Sequence, residues 1–136
     1  MKLVHRSVAL TVLTLLLSGC DSRGPQTYTV SGSVTFDGTS VADGQIVFRD
    51  EAGQIPTAAG PIAAGQFSFS SQAGPKRVEI TAMRDIPGKM DRANPGESVP
   101  AREMYIPAVY NTKSTLTAEV SPSGKNQFTF ELKSKP

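Results

Sequence analysis

The chain has 136 residues, with 14 Lys and Arg, 12 Asp and Glu, one His and one Cys, and this length suits one small domain. The formal net charge of +2 at pH 7 excludes both the basic surface typical of nucleic-acid-binding proteins and an acidic low-complexity tail. A single cysteine excludes an intramolecular disulfide.

The first nineteen residues have the pattern of an export signal. Lys2, His5 and Arg6 form a basic head, and residues 8–17 are almost wholly apolar. This apolar run is about half the roughly 20 residues that a membrane-spanning helix needs, so an uncleaved span is the weaker interpretation. We therefore predict a signal helix at residues 1–19 that the mature protein lacks.

The signal ends in the sequence Leu17-Ser18-Gly19-Cys20. These residues resemble the bacterial lipobox. The resemblance implies cleavage between Gly19 and Cys20, a diacylglycerol thioether on the Cys20 sulfur and a fatty acyl group such as palmitate on its amino group. Two or more acyl chains hold a protein stably on a bilayer, so we expect a lipid-anchored domain outside the cytoplasm, on the cell membrane or outer membrane. An ordinary secretory signal with a chance cysteine is the alternative.

Removing the signal also removes Lys2, Arg6 and His5, which leaves 12 basic and 12 acidic residues, since 14 minus two is 12. Without histidine or a free thiol the mature chain cannot form a Ser-His-Asp triad, a Cys-His pair or a His-ligated zinc site. We predict no enzymatic activity, no cofactor, no metal and no nucleic-acid partner.

A short tether precedes the domain. Residues 20–26 contain Gly24-Pro25, which breaks regular structure. The domain at residues 27–136 opens with the clearest strand, because apolar and hydroxyl side chains alternate from Tyr28 to Phe36. Gly32 falls on the apolar face, where a bulge or a close neighbouring backbone would explain it.

The same alternation continues along the domain. Asp37-Gly38 and Asp43-Gly44 are predicted turns; calcium binding by these aspartates is disfavoured because the calcium-loop pattern is missing. A hairpin is expected to turn near Gly65. The further predicted strands cover residues 45–49, 61–64, 66–70, 76–83, 115–120 and 127–132.

About seven short strands separated by turn residues predict an all-β fold, an antiparallel β-sandwich. The inward-facing positions predict its core, and burial of each large side chain contributes about 1.5 to 3 kcal/mol in gross terms. The predicted core residues are Tyr28, Val30, Val34, Phe36, Ile46, Phe48, Phe67, Phe69, Val78, Ile80, Leu116, Val120, Phe128, Phe130 and Leu132.

Three short runs carry a second resemblance: Val30-Ser31-Gly32-Ser33-Val34, Gly38-Thr39-Ser40-Val41 and Gly44-Gln45-Ile46-Val47. They resemble the opening of carboxypeptidase regulatory-like domains, with Ser40 where that family favours Pro. The resemblance implies a transthyretin-like sandwich that is an accessory module without catalysis. Taken with the lipobox, with Gly60-Pro61-Ile62 and Lys76-Arg77-Val78-Glu79-Ile80, and with the run from Tyr105 to Thr117, nearly the whole chain resembles small lipoproteins of planctomycete-type bacteria.

Residues 85–107 contain several prolines and glycines and alternate acidic with basic side chains. This composition predicts a long solvated loop, and loops longer than about 12 to 15 residues are uncommon without a role or disorder. A hydrolase site built from two of its carboxylates is disfavoured, because such a site needs a rigid frame.

Tyr105 and Tyr110 flank Ile106-Pro107 at the end of that segment. Their rings are candidates for stacking on a sugar or docking a partner. The favoured alternative is that they cover the open end of the sandwich while Asn111 makes the turn. Tyr105, Tyr110 and Asn111 are therefore the candidate binding residues.

Three functions remain possible at this stage. The favoured one is a membrane-anchored lipoprotein that serves as a non-catalytic binding or structural module of the cell envelope, with an envelope protein or a polysaccharide as partner. The second is a carbohydrate-binding surface module, which requires an exposed tyrosine beside a polar groove. The third is a hydrolase that uses carboxylates alone, which requires closely paired acids with a raised pKa.

Overall fold

The computed structural model describes residues 24–92 and 94–136. The fold of this region is all-β, as predicted. The predicted signal helix at 1–19 and the cleavage and lipidation positions Gly19 and Cys20 lie outside the described residues. The elements in chain order are β1 (Thr27–Phe36), β2 (Thr39–Ser40), β3 (Asp43–Asp50), β4 (Ala58–Ala63), β5 (Gln66–Gln72), β6 (Gly74–Asp91), β7 (Val99–Met104), a 3-10 helix (Ala108–Tyr110), β8 (Thr117–Val120) and β9 (Gln127–Leu132).

The strands form one curled sheet in the order β2-β1-β5-β4-β3-β6-β7, with β8 beside β6 and β9 beside β1. The pairs are antiparallel except that β9 runs parallel to β1. The predicted antiparallel arrangement is therefore confirmed for the described strand pairs, with the exception of this last one. Its direction follows from connectivity, because the chain leaves β8 at one edge of the curled sheet and crosses through residues 121–126 to the opposite edge.

The predicted core is largely confirmed. Ten of its fifteen residues are buried, and the other five are partly buried against them. Ile106 and Tyr110 are also buried, because the segment after β7 packs back onto the sheet. The five partly buried residues are Tyr28, Phe36, Phe69, Leu116 and Phe128.

The turn predictions have a mixed outcome. Asp37 and Gly38 have φ angles of 48° and 81°, which are the left-handed conformations that tight hairpin turns require. Asp43-Gly44, by contrast, is not a turn but the start of β3. Its glycine is needed because a Cβ on Gly44 would lie 2.6 Å from the carbonyl oxygen of Thr81 on β6.

Gly32 lies opposite Phe128 in the parallel pairing of β1 with β9. A Cβ built on Gly32 would lie 1.8 Å from the carbonyl oxygen of Phe128 and 2.9 Å from Cζ of Phe67. Of the two explanations for this glycine, the close neighbouring backbone is therefore the correct one.

The prediction of a solvated loop at residues 85–107 is wrong. β6 continues to Asp91 and β7 returns antiparallel to it, with Met83 opposite Met104 and Asp91 opposite Val99. Pro87 and Gly88 lie in an irregularity of the pairing between Asp85 and Met90, and Pro95 and Gly96 lie in the connection between β6 and β7. We call residues 83–104 the arm; none of its described residues is buried.

The arm and the tether leave the sheet at opposite ends. Thr27, which follows the tether, lies opposite Gln72, next to the start of β6. β6 then pairs with β3 as far as Ala82 and continues into the arm. At about 3.3 Å per residue, the nine residues that follow Ala82 carry the arm up to about 30 Å beyond the sheet.

Candidate functional site

Tyr105 lies where the arm returns to the sheet. Its half-buried ring packs edge-on against Phe36, with 5.4 Å between ring centroids. The Arg84 guanidinium lies 5.3 Å from the Tyr105 centroid, close enough for a cation–π interaction. Burial raises the pKa of the Tyr105 hydroxyl above its ordinary value, despite the opposing effect of Arg84. Tyr105 therefore stays a neutral phenol across the physiological range.

A surface depression of about 330 Å³ adjoins this ring. It combines an aromatic wall with hydroxyl groups, one carboxylate and one guanidinium, which are groups that bind polar ligands by stacking and hydrogen bonds. The lining residues are Phe36, Asp37, Thr39, Ser40, Arg84 and Tyr105. We call this the Tyr105 depression.

The two charged groups of the Tyr105 depression are held by neighbouring residues. Nε of Arg84 donates a hydrogen bond of 2.8 Å to Oε1 of Glu103. Oδ1 of Asp37 accepts a 3.0 Å hydrogen bond from the backbone N–H of Ser134, and this bond lowers the pKa of the Asp37 carboxyl. A preoriented cation and anion thus flank the tyrosine, although the sequence analysis identified neither.

Tyr110 and Asn111 lie apart from this depression. Tyr110 is buried, and its hydroxyl oxygen accepts a hydrogen bond of 3.0 Å from the backbone N–H of Lys133. The side-chain amide of Asn111 donates to the carbonyl oxygens of Ile106 and Pro107, while its oxygen accepts from the Thr112 N–H. Both side chains are hydrogen-bonded to the backbone of the same domain. Of the three candidate residues, only Tyr105 borders the depression.

A second depression, of about 510 Å³, lies near the opposite end of the sheet and includes Asp50. Beside it the nearly buried ammonium of Lys76 lies 3.3 Å from Oδ1 of Asp50. Oδ2 of Asp50 accepts hydrogen bonds from the N–H groups of Gln54 and Ile55. The Gln54 bond is the main cause of a lowered Asp50 pKa, with Lys76 contributing. The Lys76–Asp50 pair therefore holds the loop after β3 against the sheet. Its carboxylate is ionised and does not serve as a proton donor.

Surface ion pairs brace the base of the arm. Arg102 of β7 contacts Asp43 at 3.3 Å and Asp85 at 3.4 Å. All three side chains are substantially exposed, so solvent screening limits each pair to at most about 1 kcal/mol.

Comparisons with protein-family models, with curated proteins and with solved structures give no match. Within the described residues, no helix is long and apolar enough to cross a membrane. No group of three or more His, Cys, Asp or Glu side chains in residues 24–92 and 94–136 has the spacing of a metal site.

Most of the residues around Tyr105 carry no signal in the sequence that marks them as part of a site. Asp37 comes from the turn after β1 and Thr39 and Ser40 from β2, whereas Arg84 comes from β6. The Asp37-Gly38 turn was visible in the sequence, but no local pattern links it to a tyrosine nearly seventy residues further along. Only the curling of the sheet brings these segments together.

Proposed function

We propose that this chain is a lipid-anchored, non-catalytic binding module of a bacterial cell envelope. Cys20 carries the lipid, residues 20–26 form the tether, and the domain lies outside the cytoplasm on the cell membrane or outer membrane. We also propose that the curled sheet is a transthyretin-like sandwich of the carboxypeptidase regulatory-like kind.

The observation that carries this proposal is the separation of the tether from the arm. A tether of seven residues spans at most about 25 Å, so an anchor at Cys20 would keep the Gly24 end of the sheet close to the bilayer. The arm and the Tyr105 depression belong to the other end, where envelope partners have access. An exposed hairpin at that end offers a partner a surface that the bilayer does not cover.

The carboxylates also favour binding over hydrolysis. A carboxylate-only hydrolase needs one acid that keeps its proton near neutral pH. Asp37 and Asp50 both have lowered pKa values, because each accepts backbone hydrogen bonds. Their surroundings stabilise the ionised form, which accepts hydrogen bonds but cannot donate a proton.

The anchor is tested by comparing wild type with Cys20→Ala in a bacterial host that processes lipoproteins. We expect the wild-type chain in the membrane fraction, with radiolabelled palmitate incorporated and the signal removed. Cys20→Ala should incorporate no label. Equal labelling of the two chains, or unlabelled wild type in the soluble fraction, would refute the anchor.

The binding role is tested separately with photo-crosslinking residues at two exposed serines, Ser98 at the arm and Ser123 near the tether end. In native envelopes we expect one reproducible crosslinked partner from Ser98 and none from Ser123. The same partner from both positions, or no partner from Ser98, would argue against a binding end at the arm.

Carbohydrate binding is a second candidate, favoured by the half-buried Tyr105 ring beside a polar depression. Tyr105→Ala should abolish retention on a glycan array, and Thr39→Val should weaken it by removing one hydroxyl. Val109→Ala, at an exposed position outside the depression, should leave retention unchanged. Retention that survives Tyr105→Ala would exclude this site.

A further inference from the structure

The sulfur atoms of the mature sequence are concentrated in the arm. After Cys20 the chain contains neither cysteine nor histidine, and its only sulfur-bearing side chains are Met83, Met90 and Met104. Their exposed fractions are 38%, 49% and 49%. Methionine is usually buried in a core. The three exposed methionines of the arm do not pack in the core, so their thioethers are accessible to a ligand.

The register of the arm places two of these methionines side by side. Met83 of β6 is the direct antiparallel partner of Met104 of β7. Directly opposite residues share a face of the sheet, with Cβ atoms about 4.5 to 5.5 Å apart. Methionine has three rotatable side-chain bonds, so both sulfur atoms can approach one ion lying between them.

Met90 is set apart from this pair. Its partner on β7 is Pro100, four residues from Met104, or about 13 Å along the strand. Met90 is therefore a matched control, since it is an exposed methionine of the same arm that the backbone register keeps away from the other two.

Thioether sulfur is a soft, neutral ligand that selects Cu(I) over hard cations. The nearby cation is Arg102, whose side chain lies 3.4 Å from the carbonyl oxygen of Met83. Arg102 is paired with the carboxylates of Asp43 and Asp85. Those carboxylates offset its repulsion of an incoming cation. The surroundings of the pair thus permit a monovalent positive ion.

We propose that Met83 and Met104 form a two-thioether site for Cu(I). The site is independent of the anchor and of the Tyr105 depression. Because thioethers carry no proton in the physiological range, ion binding releases none. The affinity of the Met83–Met104 site for Cu(I) is therefore constant with pH. Cysteine and histidine sites differ, because protons compete with the metal for those ligands.

The test uses Ag(I), which has the same charge and closed d-shell as Cu(I) and does not change oxidation state. The full-length chain carrying Cys20→Ser is purified in detergent and titrated with Ag(I). We expect Met83→Leu and Met104→Leu each to weaken Ag(I) binding at least about tenfold. Removing a residue that only contacts a metal ligand already lowers metal affinity by about 10- to 100-fold, so removing a ligand should cost no less. Met90→Leu should bind like its parent.

A second readout separates ligation from a general effect on folding. With methionine methyl groups labelled with ¹³C, Ag(I) should shift the Met83 and Met104 resonances together and leave the Met90 resonance in place. The Met83-dependent affinity should be the same at about pH 5.5 and about pH 7.5, since no ligand titrates between them.

Several outcomes would overturn the site. These are no Ag(I)-induced shift at Met83 and Met104, an equal loss of affinity in Met90→Leu, a loss confined to only one of Met83→Leu and Met104→Leu, or a Met83-dependent affinity that rises with pH. Leucine preserves the size and apolar character of methionine, so the substitutions remove the sulfur and little else.

Discussion

At the scale of single residues, Gly32 is where the structure leaves least room for a side chain. Gly32→Ala would place a methyl group 1.8 Å from the Phe128 carbonyl oxygen, which forces β9 away from β1. We expect a loss of about 3 kcal/mol in the free energy of unfolding, the upper end of what overpacking usually costs. Urea denaturation of the two chains measures this loss.

The matched control is Gly24→Ala, because nothing lies within 4 Å of a Cβ at Gly24. This variant should unfold at the same urea concentration as wild type. If Gly32→Ala were as stable as Gly24→Ala, the close approach of the Phe128 carbonyl oxygen on β9 to Gly32 would be wrong.

Asp50 leads to a prediction about acid stability. The pKa of the Asp50 carboxyl is lowered in the folded protein, mainly by the Gln54 N–H and also by Lys76. The ionised carboxylate therefore contributes fully to stability above the ordinary pKa of 3.8. This contribution is lost as the pH falls through the folded-state pKa. We expect Asp50→Asn to be less stable than wild type near pH 6, and the difference to shrink towards about pH 2.

The measurement is the free energy of unfolding as a function of pH for wild type, Asp50→Asn and the control Glu131→Gln, whose carboxylate is exposed on β9. The control curve should run parallel to that of wild type. A difference between wild type and Asp50→Asn that stays constant down to low pH would contradict the role of the ionised Asp50.

At the scale of elements, the arm is separable from the core. None of its described residues is buried, and its ion pairs are exposed. Replacing residues 86–101 by Asn-Gly would join the partners Asp85 and Arg102 through a two-residue hairpin turn. We expect the free energy of unfolding to change by less than about 1 kcal/mol, as for other surface changes.

Leu132→Ala serves as the comparison for this deletion, since Leu132 is almost fully buried in the core. Its substitution should cost about 2 to 5 kcal/mol. Thermal unfolding of both variants distinguishes the two cases, and an armless chain as unstable as Leu132→Ala would show that the arm supports the core.

At the scale of the whole molecule, the proposed anchor fixes an orientation. A fluorophore on Ser123→Cys lies near the tether end, and one on Ser98→Cys lies on the arm. In vesicles with nitroxide-labelled lipids, we expect strong quenching at Ser123 and weak quenching at Ser98. Lipidation of Cys20 would leave each engineered cysteine as the only free thiol.

Equal quenching at both positions would mean that the domain lies flat on the bilayer. The Cys20→Ala background provides the control, because its label should remain unquenched at either position. This pair of measurements separates orientation from attachment, since attachment alone would not make the two labels differ.

Local sequence patterns predicted the strand β1 and the turn that follows it, because both features depend on neighbouring residues. The alternation from Tyr28 to Phe36 predicted β1 and its buried face, because a strand turns successive side chains to opposite sides. Asp37-Gly38 predicted a tight turn, because both residues tolerate positive φ. The same local reasoning failed for the arm, where Pro87 and Gly88 lie in an irregularity of the β6–β7 pairing and Pro100 lies within β7.

The sequence by itself determined the all-β class, most strand positions and most of the core, since these follow from side-chain alternation and turn chemistry. Only the tertiary structure decided that Tyr105 meets Arg84 and Phe36, that Lys76 is buried against Asp50, and that Met83 faces Met104. These contacts join residues more than twenty positions apart, and they form only when strands pair or the sheet curls, which no pattern of neighbouring residues encodes.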